Sequence, residues 1–314
     1  MKLLIFGSQT IGGACLEALL ETPPAVQIVG VVAAPDDPPR LMSGTPRSLE
    51  ASARTRQLPL FPPEKTDGPE FAATVRSLAP DLMLLLDYPR HLEPAVLALP
   101  PRGAINLYAT LLPAYRGHAP HIRAVQHGEH TTGVTLHTIA PGPEALLAQQ
   151  TVPIVWTDTS DDVYRKQTAA AAQLLLRTWP QLLAGAWPST PLPASSMTPF
   201  GPMSADERAI DWNQSGVSLY NLIRAVTHPY PGAYAGFRGA RCTIWRADVR
   251  PAPLTGALPP PGTITKFVPF QVVTGDGVLL LRQLQLEGEP ELDSAAFIAH
   301  YQAVVGERFT LWTP

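Results

Sequence analysis

The stretch INLYATLLPAYRGHAP, residues 105–120, joins an apolar strand to a loop that is dense in turn-forming residues. Its first residues are typical of a buried strand, whereas the Leu-Pro, Arg-Gly and Ala-Pro pairs mark turns. Asn106 and Tyr108 lie where the strand meets the loop. Because ligands of an open α/β sheet bind beyond the carboxyl ends of its strands, both polar side chains are candidates for chemistry.

Short apolar runs on either side of this stretch predict the other strands of the same sheet. They lie at 3–6, 26–34, 78–88 and 132–139, and segments with helical periodicity at 12–21, 69–78 and 121–129 alternate with them. This alternation predicts an α/β fold with a doubly wound parallel sheet. Asp87, Asn106, Tyr108 and Glu144 fall at or beyond strand ends, so we expect them at one edge of that sheet.

The carboxyl-terminal third of the chain has a different pattern. A helical segment at 162–184 is followed by a stretch rich in proline and serine, and then by short apolar runs separated by turns. We therefore predict an α/β domain at 1–188, a linker at 189–204 and a second domain at 205–314. Its short strands are typical of a small OB-like β-barrel.

Composition narrows the class of protein. The chain has 314 residues, a net charge of −3 and a pI near 6.2, which disfavours a large surface for nucleic acid. Its apolar runs are too short to span a membrane. The two cysteines, Cys15 and Cys242, lie far apart and indicate neither a disulfide framework nor a metal site. We expect a cytoplasmic protein.

Two weaker patterns are interpreted as structural. The turn FGSQTIGG, residues 6–13, lacks the G-x-G-x-x-G spacing of dinucleotide-binding loops. Histidines crowd residues 118–137, but no cysteine or aspartate completes a ligand set among them, so we predict no metal. His137, in the middle of a predicted strand, is interpreted as a packed residue.

Further motifs extend over nearly the whole chain. They are Leu111-Leu112-Pro113, Arg116-Gly117, Pro120, Gly128-Glu129 and Thr132-Gly133-Val134-Thr135, with AIDW at 209–212 and LIRAVTHPYPGAYAGF at 222–237. In this combination the sequence resembles the folate-dependent formyltransferase family, which includes methionyl-tRNA formyltransferase and the sugar N-formyltransferases. The resemblance implies transfer of a formyl group from 10-formyltetrahydrofolate to an amine, through an oxyanion, by an Asn, a His and an Asp.

Two of these three catalytic positions are changed here. Asn106 matches the Asn, but Tyr108 stands where the family has His, and the loop at 139–149 lacks the usual Asp-Thr-Gly. Glu144 is the nearest acid in that loop. We expect Asn106 to polarise the carbonyl, Tyr108 to add a hydrogen bond and Glu144 to accept the proton of the amine. With a pKa of about 10, a tyrosine does not shuttle protons near neutral pH.

Residues near these three positions are predicted to bind the donor or the substrate. They are Asp87, Tyr88, Arg90, Leu112, Pro113, Arg116, Gly117, His118, Pro120 and His121. His118 and His121 are also candidates to replace the missing imidazole. Because the altered acidic loop normally walls the pterin pocket of the family, the resemblance leaves the donor open as well.

Three hypotheses for function follow. The leading one is an enzyme that transfers a formyl or similarly small acyl group to an amine of a small molecule, such as a nucleotide-linked amino sugar or a biosynthetic intermediate. The second is the same fold with another donor, such as an acyl-coenzyme A or a formimidoyl or carbamoyl carrier. The third is a ligand-binding homologue without catalysis. The sequence leaves the oligomeric state open, a homodimer included.

Overall fold

The protein folds into two compact units, each built around its own sheet. The computed structural model describes residues 1–22, 26–35, 48–66, 68–140, 142, 144–185, 189–193, 200–250 and 259–312. The first unit comprises Met1–Pro120, Thr131–Pro153 and Val163–Phe200, and the second comprises His121–His130, Ile154–Asp162 and Gly201–Pro314. The predicted domain boundaries stay a prediction, and residues 194–199 of the predicted linker lie outside the described residues.

Within the described residues, the sheet of the first unit has eight strands. They are β1 (Lys2–Gly7), β2 (Gln27–Ala33), β3 (Leu60–Phe61), β4 (Leu82–Leu86), β5 (Ala104–Tyr108), β6 (Thr131–Ala140), β7 (Ala145–Pro153) and β8 (Thr190–Pro191). Their order is β3-β2-β1-β4-β5-β6-β7-β8. Pairing is parallel from β3 to β5 and antiparallel from β5 to β8. The sequence predicted β6 as a further strand of the parallel sheet, but β6 pairs antiparallel with β5, and β7 and β8 continue this antiparallel extension.

Helices cover both faces of this sheet. Among the described residues, the helices of this unit are α1 (Gln9–Leu20), α2 (Leu49–Thr55), α3 (Gly68–Leu78), α4 (Pro94–Leu97) and most of α6 (Ser160–Ala184), whereas α5 (Pro120–Gln126) belongs almost wholly to the second unit. Because side chains alternate along a strand, Leu3 and Ile5 of β1 join one buried cluster while Leu4 and Phe6 join the other. All five residues of β4 are buried, as expected for a parallel strand between two helical layers.

The second unit contains an antiparallel sheet. Its elements are α7 (Gly216–Val226), β9 (Ala233–Phe237), β10 (Ala240–Arg250), β11 (Ile264–Phe267), β12 (Phe270–Val273), β13 (Val278–Leu286), β14 (Leu292–Asp293) and α8 (Ser294–Tyr301). The strand order is β11-β12-β13-β10-β9, with β14 paired to β13.

The carboxyl-terminal segment connects the two edges of this second sheet. Thr310 pairs with Gly236 of β9, and Arg308 pairs with Thr263 next to β11. These bridges close the sheet in the manner of a barrel. The predicted combination of an α/β unit with a smaller, OB-like β unit is therefore confirmed. In the described part of the chain, no helix has the length and apolar character that a membrane span requires.

Candidate active site

Asn106 on β5 lies directly opposite His137 on β6, because the antiparallel register pairs these two residues. Nδ2 of Asn106 is 3.1 Å from Nε2 of the His137 ring, whose residue is only 2% exposed. A side-chain amide carries two N–H groups, so one donates to the ring and the other remains for a ligand. The sequence interpretation of His137 as a packed residue misses this contact.

Burial keeps the His137 ring neutral. It lowers the pKa of His137 from 6.5 to about 4, while the nearby Glu144 acts to raise this pKa and Arg116 acts to lower it. Removing the imidazole from water disfavours its charged form. At pH 7 the ring is therefore uncharged, and Nε2 accepts the hydrogen bond from Asn106.

This lowered pKa predicts a pH dependence of stability. Between about pH 4 and 6.5 the unfolded chain binds a proton at His137 that the folded chain does not, so the free energy of unfolding rises with pH in this window. The full gain is about 3 kcal/mol for a shift of this size. Urea unfolding of the wild type and of His137→Gln across this range measures it. Equal pH dependence in both proteins would contradict the assignment.

The Asn106–His137 pair lies in a pocket of about 360 Å³ within the first unit. Apolar side chains of Leu85, Leu92, Leu97 and Ile139 contribute to its wall. Tyr108, Arg116 and Glu144 also line it. The pocket thus combines apolar walls with a small set of polar groups, as sites for small organic ligands do.

The structure brings the three predicted catalytic residues together and divides the predicted binding residues. Asn106, Tyr108 and Glu144 all line the pocket, as do Tyr88, Arg90, Leu112 and Arg116. The other predicted binding residues are not among those that line it, and they are Asp87, Pro113, Gly117, His118, Pro120 and His121. Their assignment as binding residues therefore has no support from the pocket.

Two of these residues have side-chain partners outside the pocket, and a third is held through its backbone. The carboxylate of Asp87 accepts a hydrogen bond of 3.1 Å from the Tyr164 hydroxyl. Nε2 of His121 lies 2.7 Å from the Tyr230 hydroxyl, and both residues belong to the second unit. The backbone N–H of His118 donates to Phe200. The imidazoles that line the pocket belong to His91 and His137, and those of His118 and His121 are not among the lining groups.

Tyr108 uses its hydroxyl to hold the loop that follows β5. The hydroxyl donates to the carbonyl of Gly117 and accepts a hydrogen bond of 2.8 Å from the Gly117 N–H. Burial also raises the pKa of Tyr108. Because its single proton is engaged by Gly117, the expected hydrogen bond from Tyr108 to a reacting oxygen would require this contact to break. The geometry favours a positioning role.

A glycine is required at position 117, where the Tyr108 hydroxyl forms hydrogen bonds with the loop. Its φ is +140°, and a Cβ atom there would lie 2.3 Å from the carbonyl oxygen of Phe200. Only glycine adopts this conformation without a clash. The neighbouring backbone bonds, Phe200 N–H to Arg116 and His118 N–H to Phe200, fix the opposite side of the loop.

The beginning of the same loop is anchored by two polar side chains that were not among the predicted site residues. The Thr135 hydroxyl donates to the carbonyl of Thr110 at 2.6 Å and accepts from the N–H of Leu112 at 3.0 Å. Nε2 of Gln149 donates to the carbonyl of Leu112 at 2.8 Å. The loop is therefore held along its length.

A Tyr108→Phe substitution tests the positioning role. It leaves both backbone groups of Gly117 without their partner, so we expect the free energy of unfolding to fall by about 1–3 kcal/mol. Urea denaturation measures the change. Tyr301→Phe is the matched control, because the Tyr301 hydroxyl is buried without a hydrogen-bond partner in the described structure. If neither variant loses stability, the result contradicts the positioning role of Tyr108.

A side-chain amide and a neutral imidazole beside apolar walls, on neighbouring strands of an α/β sheet, are groups that can support acyl transfer. Comparison with known proteins gives the group that is transferred. The formyl transferase family matches residues 1–179, and its carboxyl-terminal domain matches residues 202–302. The chain belongs to the formyltransferase family, and it is an enzyme that transfers formyl groups.

The chain is also similar to individual proteins, of which the two solved structures share its fold. Methionyl-tRNA formyltransferase of Symbiobacterium thermophilum is 35% identical over 316 residues, covering 99% of this chain and 95% of the relative. An N-formyltransferase from Helicobacter canadensis, solved with folinic acid and dTDP-3-aminofucose, has a TM-score of 0.64 and 17% identity, covering 93% of this chain and 100% of its own. A likely sugar N-formyltransferase from Mycobacterium tuberculosis has a TM-score of 0.56 and 20% identity, with 74% and 90% covered.

The lining of the pocket fits the donor of this family. Formyltransferases of the family use 10-formyltetrahydrofolate. Leu85, Leu92, Leu97 and Ile139 line the pocket with the apolar surface that a flat pterin ring would need, and Asn106 would offer an N–H to a formyl oxygen. These are the residues that would hold the donor.

Proposed function

We propose that this enzyme transfers a formyl group from 10-formyltetrahydrofolate to the primary amine of a small molecule. The observation that carries the proposal is the Asn106 amide, held by the neutral ring of His137 inside the pocket. An amide fixed in this way is a preorganised donor for an oxygen that gains negative charge.

The roles of the side chains follow from their chemistry. The bound donor supplies a formyl carbon on nitrogen, which an amine can attack. Asn106 donates its second N–H to the formyl oxygen as negative charge develops there. His137 keeps the amide of Asn106 in that orientation. Glu144 accepts the proton that the attacking amine loses and returns a proton to the nitrogen that leaves, so that one C–N bond forms and one breaks.

Charge on the second unit supports a small acceptor. Three of its arginines, Arg238, Arg241 and Arg282, are each paired with a carboxylate, at 2.6, 3.0 and 2.6 Å. The whole chain carries a net charge of −3. Recognition of a nucleic acid backbone depends on clusters of unneutralised Lys and Arg. The paired arginines offer no such cluster.

A second candidate acceptor is the aminoacyl group of a charged transfer RNA. It is favoured by the 35% identity to methionyl-tRNA formyltransferase over 99% of this chain. An RNA acceptor would make the rate depend steeply on salt, because phosphate contacts release counterions.

Formyl transfer assays with both acceptor classes distinguish the two candidates. The purified enzyme is supplied with 10-formyltetrahydrofolate and either a panel of amines, including nucleotide-linked amino sugars, or methionyl-tRNA. We expect release of tetrahydrofolate that depends on a small amine and changes little with salt. Transfer to methionyl-tRNA alone would reject the small-molecule acceptor, and donor turnover with neither class would reject the proposed function.

A further inference from the structure

Arg116 and Glu144 form an ion pair within the wall of the pocket. Arg116 lies on the loop after β5 and Glu144 lies just before β7, and their side chains are 36% and 35% exposed. Nη2 of Arg116 donates to a carboxylate oxygen of Glu144. Both residues line the same pocket as Asn106 and His137. The pair therefore holds its two charges beside the reacting groups.

The loop geometry fixes the position of the arginine. Tyr108 holds Gly117 through both of its backbone polar groups, and the carbonyl of Arg116 accepts from the N–H of Phe200 at 3.0 Å. Arg116 is thus anchored through its own backbone and through the next residue. An arginine whose backbone is held in place can direct its guanidinium to form two hydrogen bonds with a carboxylate or phosphate group.

The ion pair limits the ability of the Glu144 carboxylate to take part in proton transfer. While Glu144 binds Arg116, one of its oxygens is engaged and its negative charge is largely compensated. An anion that takes the place of Glu144 on the guanidinium would release the carboxylate. Because both side chains are about one third exposed, such an exchange costs little, since exposed ion pairs contribute little to stability.

We propose that Arg116 recognises an anionic group, a carboxylate or a phosphate, on the acceptor, and that this contact releases Glu144 to accept the proton of the amine. The inference rests on the proposed function and adds the chemical class of the substrate, which is an amine that carries an anionic group. Arg116 is then a specificity residue, and the donor is not its ligand.

The effect of Arg116 and Glu144 on the pKa of His137 supports the location of the proposed anion exchange. Arg116 and Glu144 shift the pKa of His137 in opposite directions, which requires both charges to lie near the ring. Since the His137 ring contacts Asn106, an anion on Arg116 would lie close to the amine that is formylated. The anion and the amine would therefore belong to the same small molecule.

Binding of inorganic phosphate to the enzyme without donor or acceptor tests the exchange. Isothermal titration at constant ionic strength is carried out on the wild type, Arg116→Gln and Glu144→Gln. Glu144 competes with phosphate for Arg116, so we expect Glu144→Gln to bind phosphate about two- to fivefold more tightly than the wild type. Arg116→Gln should show no binding. Equal phosphate affinity in the three proteins would overturn the proposal.

A matched control comes from an exposed ion pair on α2. Arg54 and Glu50 are joined at 2.7 Å and do not line the pocket, so Arg54→Gln and Glu50→Gln remove the same charges elsewhere. Both should bind phosphate like the wild type. If they change phosphate affinity as much as the pocket variants do, net charge explains the effect and the proposal fails.

Binding of folinic acid separates an acceptor anion from the carboxylates of the donor. Wild type and Arg116→Gln should bind folinic acid with equal affinity, whereas a tenfold loss in Arg116→Gln would assign Arg116 to the donor and overturn the inference. Formyl transfer by the wild type is measured in parallel. If formyl transfer to amines occurs but the wild type, Arg116→Gln and Glu144→Gln bind phosphate equally, only the role of Arg116 is rejected. If no formyl transfer occurs, the proposed function itself is rejected.

Discussion

Replacement of Asn106 by Ala is expected to lower kcat by about a hundredfold or more, because loss of one preorganised donor to a developing oxyanion has effects of this size. The amide contacts His137 at 3.1 Å and keeps a second N–H for the formyl oxygen. Since that interaction strengthens as charge develops, kcat should fall much more than the affinity for folinic acid. Steady-state kinetics and folinic acid titration measure the two quantities.

The control for this substitution is Asn213→Ala. Asn213 lies in the second unit and donates its side-chain amide to Asp211 at 2.8 Å. Its removal should leave kcat unchanged. If Asn106→Ala retains the kcat of the wild type and only lowers its melting temperature, the Asn106 amide has a structural role and the proposed oxyanion contact is wrong.

The fold could be predicted from local patterns because its strands are short, apolar and separated by clear turns. The segment LMLLL of β4 is an uninterrupted apolar run, and AINLY coincides with β5. The antiparallel strand β7 could not be predicted in the same way. Its residues ALLAQQTVP are half-buried for most of its length, so no strong apolar run or alternation marks it.

The antiparallel pairing of β5 and β6 explains which residues of the candidate site could be predicted. Asn106 and Glu144 were found through spacing relative to the family motifs, and both line the pocket. His137 was missed because its role depends on pairing with Asn106 across an antiparallel register, which a single sequence does not display. A slip of one residue would turn His137 to the other face of the sheet. Only the register makes its imidazole a member of the site.

Tyr108 shows the opposite case, in which the position was predicted and its contacts were not. The sequence places a hydroxyl where the family has an imidazole, and chemistry at that position was the natural expectation. In the folded chain, the hydroxyl is engaged by Gly117, nine residues further along. The partner of a side chain in a loop depends on the path of the loop, which turn-forming residues limit but do not specify.

Replacement of His137 by Ala is expected to lower kcat by about a hundredfold, because a small misplacement of a catalytic group has effects of this order. We infer that His137 acts as a positioning residue through Asn106, so its effect should not multiply with that of Asn106→Ala. The variant carrying both substitutions should have nearly the kcat of Asn106→Ala alone, because removal of the amide leaves His137 nothing to orient. A double-mutant cycle of kcat measures this coupling.

The outcome of the double-mutant cycle shows whether His137 positions Asn106 or acts independently of it. His130→Gln is the control, since His130 is an exposed residue next to β6 and should keep the kcat of the wild type. Independent roles would make the combined loss about the product of the single losses, near ten-thousandfold for two hundredfold effects. Such a product would show that His137 acts without Asn106. A loss close to that of Asn106→Ala alone, with little change in folinic acid affinity, would show that the imidazole supplied by β6 works by holding the amide in place.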